Sequence, residues 1–134
     1  MSEPLHLLLL EDSPSDSELN ERALRKGGIE FTALRVDTLA AFTAALDEFE
    51  PDLILADYHL PGFDGLQALA IAREKRPHLP FLFVSGAMGE ELAVEAVKQG
   101  ASDYIVKDRL ARLPIAVRRA LEEKASRARR QAAE

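Results

Sequence analysis

Apolar runs alternate with stretches of helical periodicity along the whole chain. Five segments have the length and pattern of strands in a sheet, and they lie at residues 7–10, 31–36, 53–56, 81–84 and 104–106. Between these segments, and again after the last one, apolar residues recur at three- and four-residue intervals, which predicts five amphipathic helices. Five repeats of strand followed by helix predict an α/β domain in which helices cover both faces of a parallel sheet.

Residues with known positional preferences mark where several of these helices begin and end. Ser13 is a suitable N-cap for the first helix, and Gly27 follows its last turn. Asp64 and Gln67 have the spacing of a capping box at the start of the third helix. Pro114 suits the first turn of the last helix. These signals agree with the boundaries that the apolar pattern predicts.

The tail of the chain differs from the rest in both hydrophobicity and charge. After Leu121 the apolar residues are all alanines, so we expect residues 122–134 to form a helical tail that extends beyond the core of one domain spanning residues 1–134. Residues 118–130 contain six basic and two acidic side chains. We interpret this run as a solvated helix face, and a basic contact surface is the alternative.

Length and composition limit the classes of protein to consider. The 134 residues suffice for one domain, and 47% of them are hydrophobic and 30% charged, as in ordinary globular proteins. The absence of cysteine excludes disulfides and thiolate metal sites. No apolar stretch is long enough to span a membrane, and the run Leu5–Leu10 lacks the preceding basic residues of a signal peptide. The net charge of −6 argues against general binding to nucleic acids. We therefore expect a cytoplasmic protein.

Polar side chains directly follow four of the five predicted strands. They are Glu11 and Asp12 after the first strand, Asp57 after the third, Ser85 after the fourth and Lys107 after the fifth. The carboxyl ends of parallel strands share one edge of the sheet, where binding sites form. If strands one and three are neighbours, three carboxylates meet in one crevice together with a hydroxyl and an ammonium group.

The three carboxylates would repel one another, and a bound cation relieves such repulsion. Magnesium is the expected ion, because it prefers oxygen ligands and retains several waters, and the backbone carbonyl of His59 could add an uncharged ligand. In this crevice the carboxylate of Asp57 can act as a nucleophile toward phosphorus and form an aspartyl phosphate. Lys107 would offset the charge of the transferred group, and Ser85 would donate a hydrogen bond to it.

The motifs that carry these residues closely resemble those of the response-regulator receiver domain. They read LLLLEDS, ILADYHLPGFDG, FVSGA and GASDYIVK, and the likeness extends from Leu5 to about Leu121. The resemblance implies a flavodoxin-like, doubly wound fold of five parallel strands in the order 2-1-3-4-5. It also implies that Asp57 accepts a phosphoryl group from a histidine kinase or a histidine phosphotransfer protein. The domain would then change conformation to control a partner protein.

The resemblance also implies roles for other residues of the crevice. Asp12 would bind magnesium directly, and Glu11 would act through a water molecule. Ser85 and Lys107 stand where the family has its hydroxyl and its lysine. Tyr104 matches the aromatic residue that turns inward when the hydroxyl moves toward the phosphoryl group.

One position departs from the family pattern. Receiver domains usually have a proline after the lysine, in a cis peptide, but here Asp108 follows Lys107. A cis bond without proline costs about 2.5–4 kcal/mol, so we expect a trans bond and a different course of the following loop.

Other functions are compatible with parts of the pattern. A phosphohydrolase of the haloacid dehalogenase type also uses an aspartate nucleophile, but it needs a second acid two residues later, where this chain has His59. A receiver-like module that accepts no phosphoryl group and a flavin-binding domain of the same topology are further alternatives. We expect no enzymatic activity beyond assistance of the domain's own phosphorylation and dephosphorylation. The sequence identifies neither the kinase nor the output partner, and it leaves pairing with a second copy open.

Overall fold

The computed structural model describes residues 4–86 and 89–133 of the chain. In this part of the chain one parallel sheet consists of the strands β1 (Leu5–Leu10), β2 (Phe31–Val36), β3 (Leu53–Ala56), β4 (Phe81–Ser85) and β5 (Asp103–Val106). The α-helices are α1 (Pro14–Lys26), α2 (Leu39–Glu48), α3 (Gly65–Lys75), α4 (Gly89–Lys98) and α5 (Leu113–Ala133). A small hairpin precedes α3, and a 3-10 helix precedes α5; they span His59–Leu60 with Phe63–Asp64, and Lys107–Arg112.

The sheet has the strand order β2-β1-β3-β4-β5, and all neighbouring strands are parallel. The doubly wound fold and the order that the resemblance implies are therefore confirmed. The interior strands β3 and β4 are buried along their whole length, whereas β2 and β5 at the edges contain partly exposed residues. Burial on both faces explains why the interior strands read as continuous apolar runs in the sequence.

The register of the sheet brings the carboxyl ends of its strands level. Leu10 pairs with Ala56 across β1 and β3, so that Glu11 and Asp57 leave the sheet at the same height. The last residue of β4 pairs with the last residue of β5, and Lys107 follows directly. The polar residues that the sequence places after these strands therefore share one edge of the sheet.

Helices cover both faces of the sheet and divide the core into two layers. Successive residues of a strand point to opposite faces, so Leu8 and Leu10 of β1 lie in one layer while Leu7 and Leu9 lie in the other. The first layer is closed by α2, α3 and α4, and the second by α1 and α5. All four leucines are almost fully buried. Each such side chain contributes about 1.5–3 kcal/mol to the free energy of folding.

The capping residues that the sequence indicates are confirmed at two helices. The hydroxyl of Ser13 accepts a hydrogen bond from the backbone N–H of Asp16 at 3.2 Å. Asp64 and Gln67 form the reciprocal capping box at the start of α3, with both hydrogen bonds at 3.0 Å. These bonds satisfy N–H groups that would otherwise lack a partner at the helix ends.

The last helix is longer than the core that it covers. α5 begins at Leu113 and continues to Ala133. Its last buried residue is Ala120, and every side chain described from residue 121 to residue 132 is half-buried or exposed. No helix in the described part of the chain combines the length and the hydrophobicity that crossing a lipid bilayer requires.

The peptide bond between Lys107 and Asp108 is trans, since none of the described residues forms a cis peptide bond. The expected trans bond is confirmed, and the different course of the following loop stays a prediction. The chain begins to wind immediately, in the 3-10 helix, and Arg109 interrupts this helix with φ −131° and ψ 45°. The backbone of Lys107 is thus held in the first turn after β5.

Gly65 allows α3 to begin directly against the end of β3. Its N–H donates a hydrogen bond to the carbonyl of Tyr58 at 2.8 Å. A Cβ atom on Gly65 would lie 2.7 Å from the backbone oxygen of Asp57 and would overlap the ring of Phe83. That ring is fully buried and packs against Phe81, with 5.1 Å between the ring centroids. Neither neighbour can move without disturbing the sheet, so this position requires glycine.

We predict that Gly65→Ala lowers the free energy of unfolding by about 1–3 kcal/mol, because the added methyl group overpacks a rigid neighbourhood. Urea unfolding followed by circular dichroism measures the change. Gly86→Ala is the matched control, since a Cβ atom there would have no neighbour within 4 Å. We expect the control to lose less than about 0.5 kcal/mol. Equal losses in the two variants would contradict the packing argument.

Candidate functional site

The backbone at the ends of β1 and β3 is fixed by hydrogen bonds that continue the sheet. The N–H of Glu11 donates to the carbonyl of Val36 at 3.0 Å, and the N–H of Asp57 donates to the carbonyl of Leu10 at 3.0 Å. The two acids are therefore anchored by the sheet itself rather than by a loop. Side chains that start from such rigid elements are held in more precise positions than side chains on loops.

Asp57 is buried, and both of its carboxylate oxygens have hydrogen-bond partners. Only 8% of the residue is exposed. Oδ1 accepts a hydrogen bond from the hydroxyl of Ser85 at 3.0 Å and a longer one from the N–H of His59 at 3.4 Å. Oδ2 accepts a hydrogen bond from the ammonium of Lys107 at 2.9 Å. The carboxylate is thus held in one orientation, between a neutral donor and a charged one.

Lys107 binds three carboxylates at once. Its Nζ lies 2.7 Å from Asp16 Oδ2, 2.9 Å from Asp57 Oδ2 and 3.1 Å from Glu11 Oε2. Burial acts to lower the pKa of Lys107, but the hydrogen bonds to the three carboxylates outweigh it and raise the pKa above its ordinary value of 10.5. The ammonium therefore stays charged at neutral pH and forms the positive centre of the crevice.

Glu11 is the least exposed acid of the site, with 2% of the residue accessible. Its Oε1 accepts a hydrogen bond from the N–H of Ser13 at 3.1 Å. Burial is the largest cause and raises the pKa of Glu11 to about 6; the hydrogen bond from Ser13 and the contact with Lys107 lower the pKa, and the charge of Asp57 raises it. Glu11 therefore changes its protonation state at a pH much closer to neutrality than an ordinary glutamate does.

Asp16 belongs to the site although the sequence does not indicate it. Asp16 lies in the first turn of α1, three residues after the N-cap Ser13. Its side chain nevertheless reaches Lys107 across the crevice, because α1 packs beside the segment that follows β5. Acidic residues are common in the first turn of helices for electrostatic reasons alone. A distinguishing signal for this contact is therefore absent from the sequence.

Three acids of the crevice are close enough to hold one divalent cation. Glu11, Asp12 and Asp57 each offer a carboxylate oxygen, and these oxygens lie within 4.8 Å of one another. Asp12 is exposed and the other two are buried, so the group is open to water on one side. Such an oxygen-rich set with access to water suits magnesium. The contact that His59 makes with Asp57 uses its N–H, and the metal-binding role of its carbonyl stays a prediction.

Tyr104 lies on β5, where it pairs with Phe83 of β4 and is half-buried. It lines a cavity of about 380 Å³ beside α4, together with Val94 and Val97, which are about half exposed. Tyr104 therefore borders an accessible apolar surface. Its inward turn on activation stays a prediction.

The crevice can support the transfer of a phosphoryl group to a carboxylate. It holds one oriented nucleophile, two donors for phosphoryl oxygens and a set of acids suited to a divalent ion. Phosphoryl transfer depends mainly on positioning and electrostatic stabilisation, so such a small set of groups suffices.

Comparison with known proteins agrees with this chemistry. Residues 7–118 match the family described as the response regulator receiver domain. The response regulator protein FleR of Pseudomonas aeruginosa is 40% identical over 101 residues, which cover 75% of this chain and 21% of FleR. The chemotaxis protein CheY of Listeria monocytogenes is 34% identical over 104 residues, which cover 77% of this chain and 86% of CheY. The chain thus spans about a fifth of the length of the first curated relatives that it matches.

Solved structures share the fold. The CheY-like response regulator receiver domain protein from Methanospirillum hungatei has a TM-score of 0.80 at 23% identity, covering 93% of this chain and 99% of that chain. The Mn(2+)-bound form of the response regulator Rcp1 has a TM-score of 0.67 at 27% identity, covering 79% of this chain and 83% of that chain. With the family match over residues 7–118, these findings establish that the chain belongs to the response regulator receiver domains, the phosphoryl-accepting domains of two-component signalling.

Proposed function

We propose that this receiver domain accepts its phosphoryl group on Asp57, from a phosphohistidine of a sensor kinase or of a phosphotransfer protein. The observation that carries the proposal is the position of the Asp57 carboxylate between the hydroxyl of Ser85 and the ammonium of Lys107. Both donors come from the ends of neighbouring strands, so they are in place before a donor protein arrives.

The transfer is a displacement at phosphorus. A carboxylate oxygen of Asp57 attacks the phosphorus atom, and the bond between phosphorus and the imidazole nitrogen of the donor breaks. The electron pair of that bond stays with the imidazole, which leaves as a neutral ring when its other nitrogen carries a proton. The product is an acyl phosphate on Asp57. Ser85 and Lys107, which now donate to the Asp57 carboxylate, are the donors for the phosphoryl oxygens.

We propose that Asp12 and Asp57 bind a magnesium ion directly and that Glu11 acts through a water molecule. Receiver domains bind magnesium at an acidic pocket, and the carboxylate oxygens of these three residues cluster as such a site needs. The manganese in Rcp1 supports a divalent ion in a related fold. When bound, the ion supplies positive charge that offsets the phosphoryl oxygens. The carbonyl of His59 is the uncharged ligand in this proposal.

We propose that phosphorylation acts by favouring one of two conformations of the β4–β5 edge. Ser85 now donates to Asp57, and a hydrogen bond to a phosphoryl oxygen would draw it toward the new group. Tyr104 lies on the neighbouring strand and would turn inward as Ser85 moves. The equilibrium shifts only as far as the phosphoryl group stabilises one state more than the other. The output partner would then recognise the surface around α4 and β5.

We propose that residues 1–134 form a single receiver domain and that residues 122–134 extend it as a helical tail. The support is the length of α5, which continues beyond its last buried residue, Ala120. Such an extension suits a linker or a basic contact surface. A cytoplasmic location fits this function, because a sensor kinase that transfers a phosphoryl group from ATP would work there.

We propose that the domain does not turn over external phosphate esters. Phosphohydrolases of the haloacid dehalogenase type need an acid two residues after the nucleophile, and His59 occupies that position with an exposed side chain. A hydrolase would release many phosphate ions per chain, whereas a receiver would hold at most one phosphoryl group.

We predict that a small phosphodonor with magnesium adds one phosphoryl group to the parent protein and none to Asp57→Asn. The amide is a far weaker nucleophile than the carboxylate and keeps the size of the side chain. Intact mass spectrometry measures the addition. Asp47→Asn, at an exposed aspartate that pairs with Lys75, is the matched control and should label like the parent. Equal labelling of Asp57→Asn and the parent would remove Asp57 from its role.

We predict that magnesium stabilises the protein more at about pH 7 than at about pH 5. The pKa of Glu11 is about 6 in the folded state, above its ordinary value of 4.5, so the folded protein holds this proton more tightly than the unfolded chain. Protonation of Glu11 therefore stabilises the folded protein. This contribution is complete below pH 4.5 and disappears as the pH rises through 6. Magnesium favours the ionised carboxylate, so its stabilising effect grows over the same range. Urea unfolding with and without magnesium measures both effects.

Glu11→Gln is the control for this pH dependence. Glutamine keeps the size of the side chain and carries no titrating proton, so the loss of metal-free stability around pH 6 should disappear. The additional stabilisation by magnesium should become smaller and less dependent on pH. If the variant keeps the pH profile of the parent, another group is responsible.

A further inference from the structure

Three carboxylates surround the ammonium of Lys107, and two of them accept hydrogen bonds from it, those of Asp16 and Asp57. The ammonium carries three N–H groups, and its three carboxylate contacts, to Asp16, Asp57 and Glu11, lie between 2.7 and 3.1 Å. A phosphoryl oxygen can therefore gain a hydrogen bond from Lys107 only if the ammonium gives up part of an existing contact. The strength of the remaining carboxylate contacts therefore decides how closely the ammonium can approach the phosphoryl oxygens.

Asp16 differs from the other two partners of Lys107. It comes from α1 rather than from the end of a strand, and its side chain is 36% exposed, compared with 10% for Asp57 and 3% for Glu11. Its contact with Lys107 is nevertheless the shortest of the three. Asp16 is also outside the group of carboxylates that cluster for a divalent ion, which consists of Glu11, Asp12 and Asp57.

These differences decide which contact persists when the site is loaded. A divalent ion would draw the carboxylates of Glu11 and Asp57 toward itself, because both belong to the acidic cluster. In phosphorylated Asp57 one carboxylate oxygen would become the bridging oxygen of the acyl phosphate, and the negative charge would lie on the phosphoryl oxygens. Neither the ion nor the phosphoryl group would bind Asp16. The Asp16 carboxylate would therefore keep its contact with the ammonium and compete with the phosphoryl group for it.

We propose that Asp16 is a positioning residue: its contact with Lys107 draws the ammonium away from phosphorylated Asp57 and thereby destabilises the phosphorylated state. The inference rests on the proposed function of Asp57. Asp16 thereby limits how strongly Lys107 stabilises the phosphoryl group, and so it lowers the population of the active form. The same contact keeps the ammonium within the crevice when no phosphoryl group is present.

The test measures binding of beryllofluoride, a stable mimic of the phosphoryl group on aspartate, at saturating magnesium. Fluorine NMR gives the affinity from the signal of the bound form. Asp16→Asn keeps the shape and removes the charge, so we expect it to bind beryllofluoride about two- to fivefold more tightly than the parent, the range that a partly exposed ion pair can supply. Asp16→Glu restores the charge and should return the affinity to that of the parent.

Asp47→Asn is the matched control for a general effect of charge. Asp47 pairs with Lys75 at 2.7 Å, the same distance as that between Asp16 and Lys107, but away from the crevice. We expect it to bind beryllofluoride like the parent. Structural damage at the start of α1 would weaken binding, so the expected gain in affinity separates the two explanations. Thermal unfolding of each variant verifies that it is folded.

Each result has a defined meaning. Tighter binding by Asp16→Asn alone supports the proposal. Equal or weaker binding by a folded Asp16→Asn overturns it, and so does tighter binding by Asp16→Glu or by Asp47→Asn. If the parent itself binds no beryllofluoride and accepts no phosphoryl group, the proposed function of Asp57 fails instead, so the two failures are distinguishable.

Discussion

Crowding of negative charge at the ends of β1 and β3 is the constraint on which the site depends. The sheet fixes the backbones of Glu11 and Asp57 at the same height, and both side chains are buried. In such surroundings two carboxylates repel each other more strongly than in water, because the effective dielectric constant is lower. Lys107 approaches from the far edge of the sheet and contacts both. Strand order and register, which deliver this lysine, therefore determine the electrostatics of the crevice.

The sequence predicts those parts of the structure that depend on local pattern. Buried strands appear as apolar runs, and Asp57, Ser85 and Lys107 could be identified because each follows such a run. The ends of the strands are less well determined: β1 begins at Leu5, two residues before its predicted start, and β5 begins at Asp103, one residue before. Pairing with neighbouring strands extends both beyond their most apolar residues.

Contacts between distant elements are the part that the sequence does not reveal. Asp16 reaches Lys107 only because of how α1 packs beside the segment after β5. The close approach of Gly65 to Asp57 depends on the placement of α3 against β3. The small hairpin before α3 has strands of two residues each, too short for any periodicity to appear. All three features arise from tertiary packing, which leaves no regular trace along the chain.

The connection through Lys107 also bears on how the domain is made. Glu11 and Asp57 lie in the first half of the chain, and the amine that compensates them comes about fifty residues after the second of them. A nascent chain that ends before β5 would hold the acids without this compensation, and repulsion would oppose their burial. The addition of β5 therefore completes the sheet and at the same time brings Lys107 to the acids at its carboxyl end. We therefore expect that a nascent chain ending before β5 does not fold into a partly functional domain during translation.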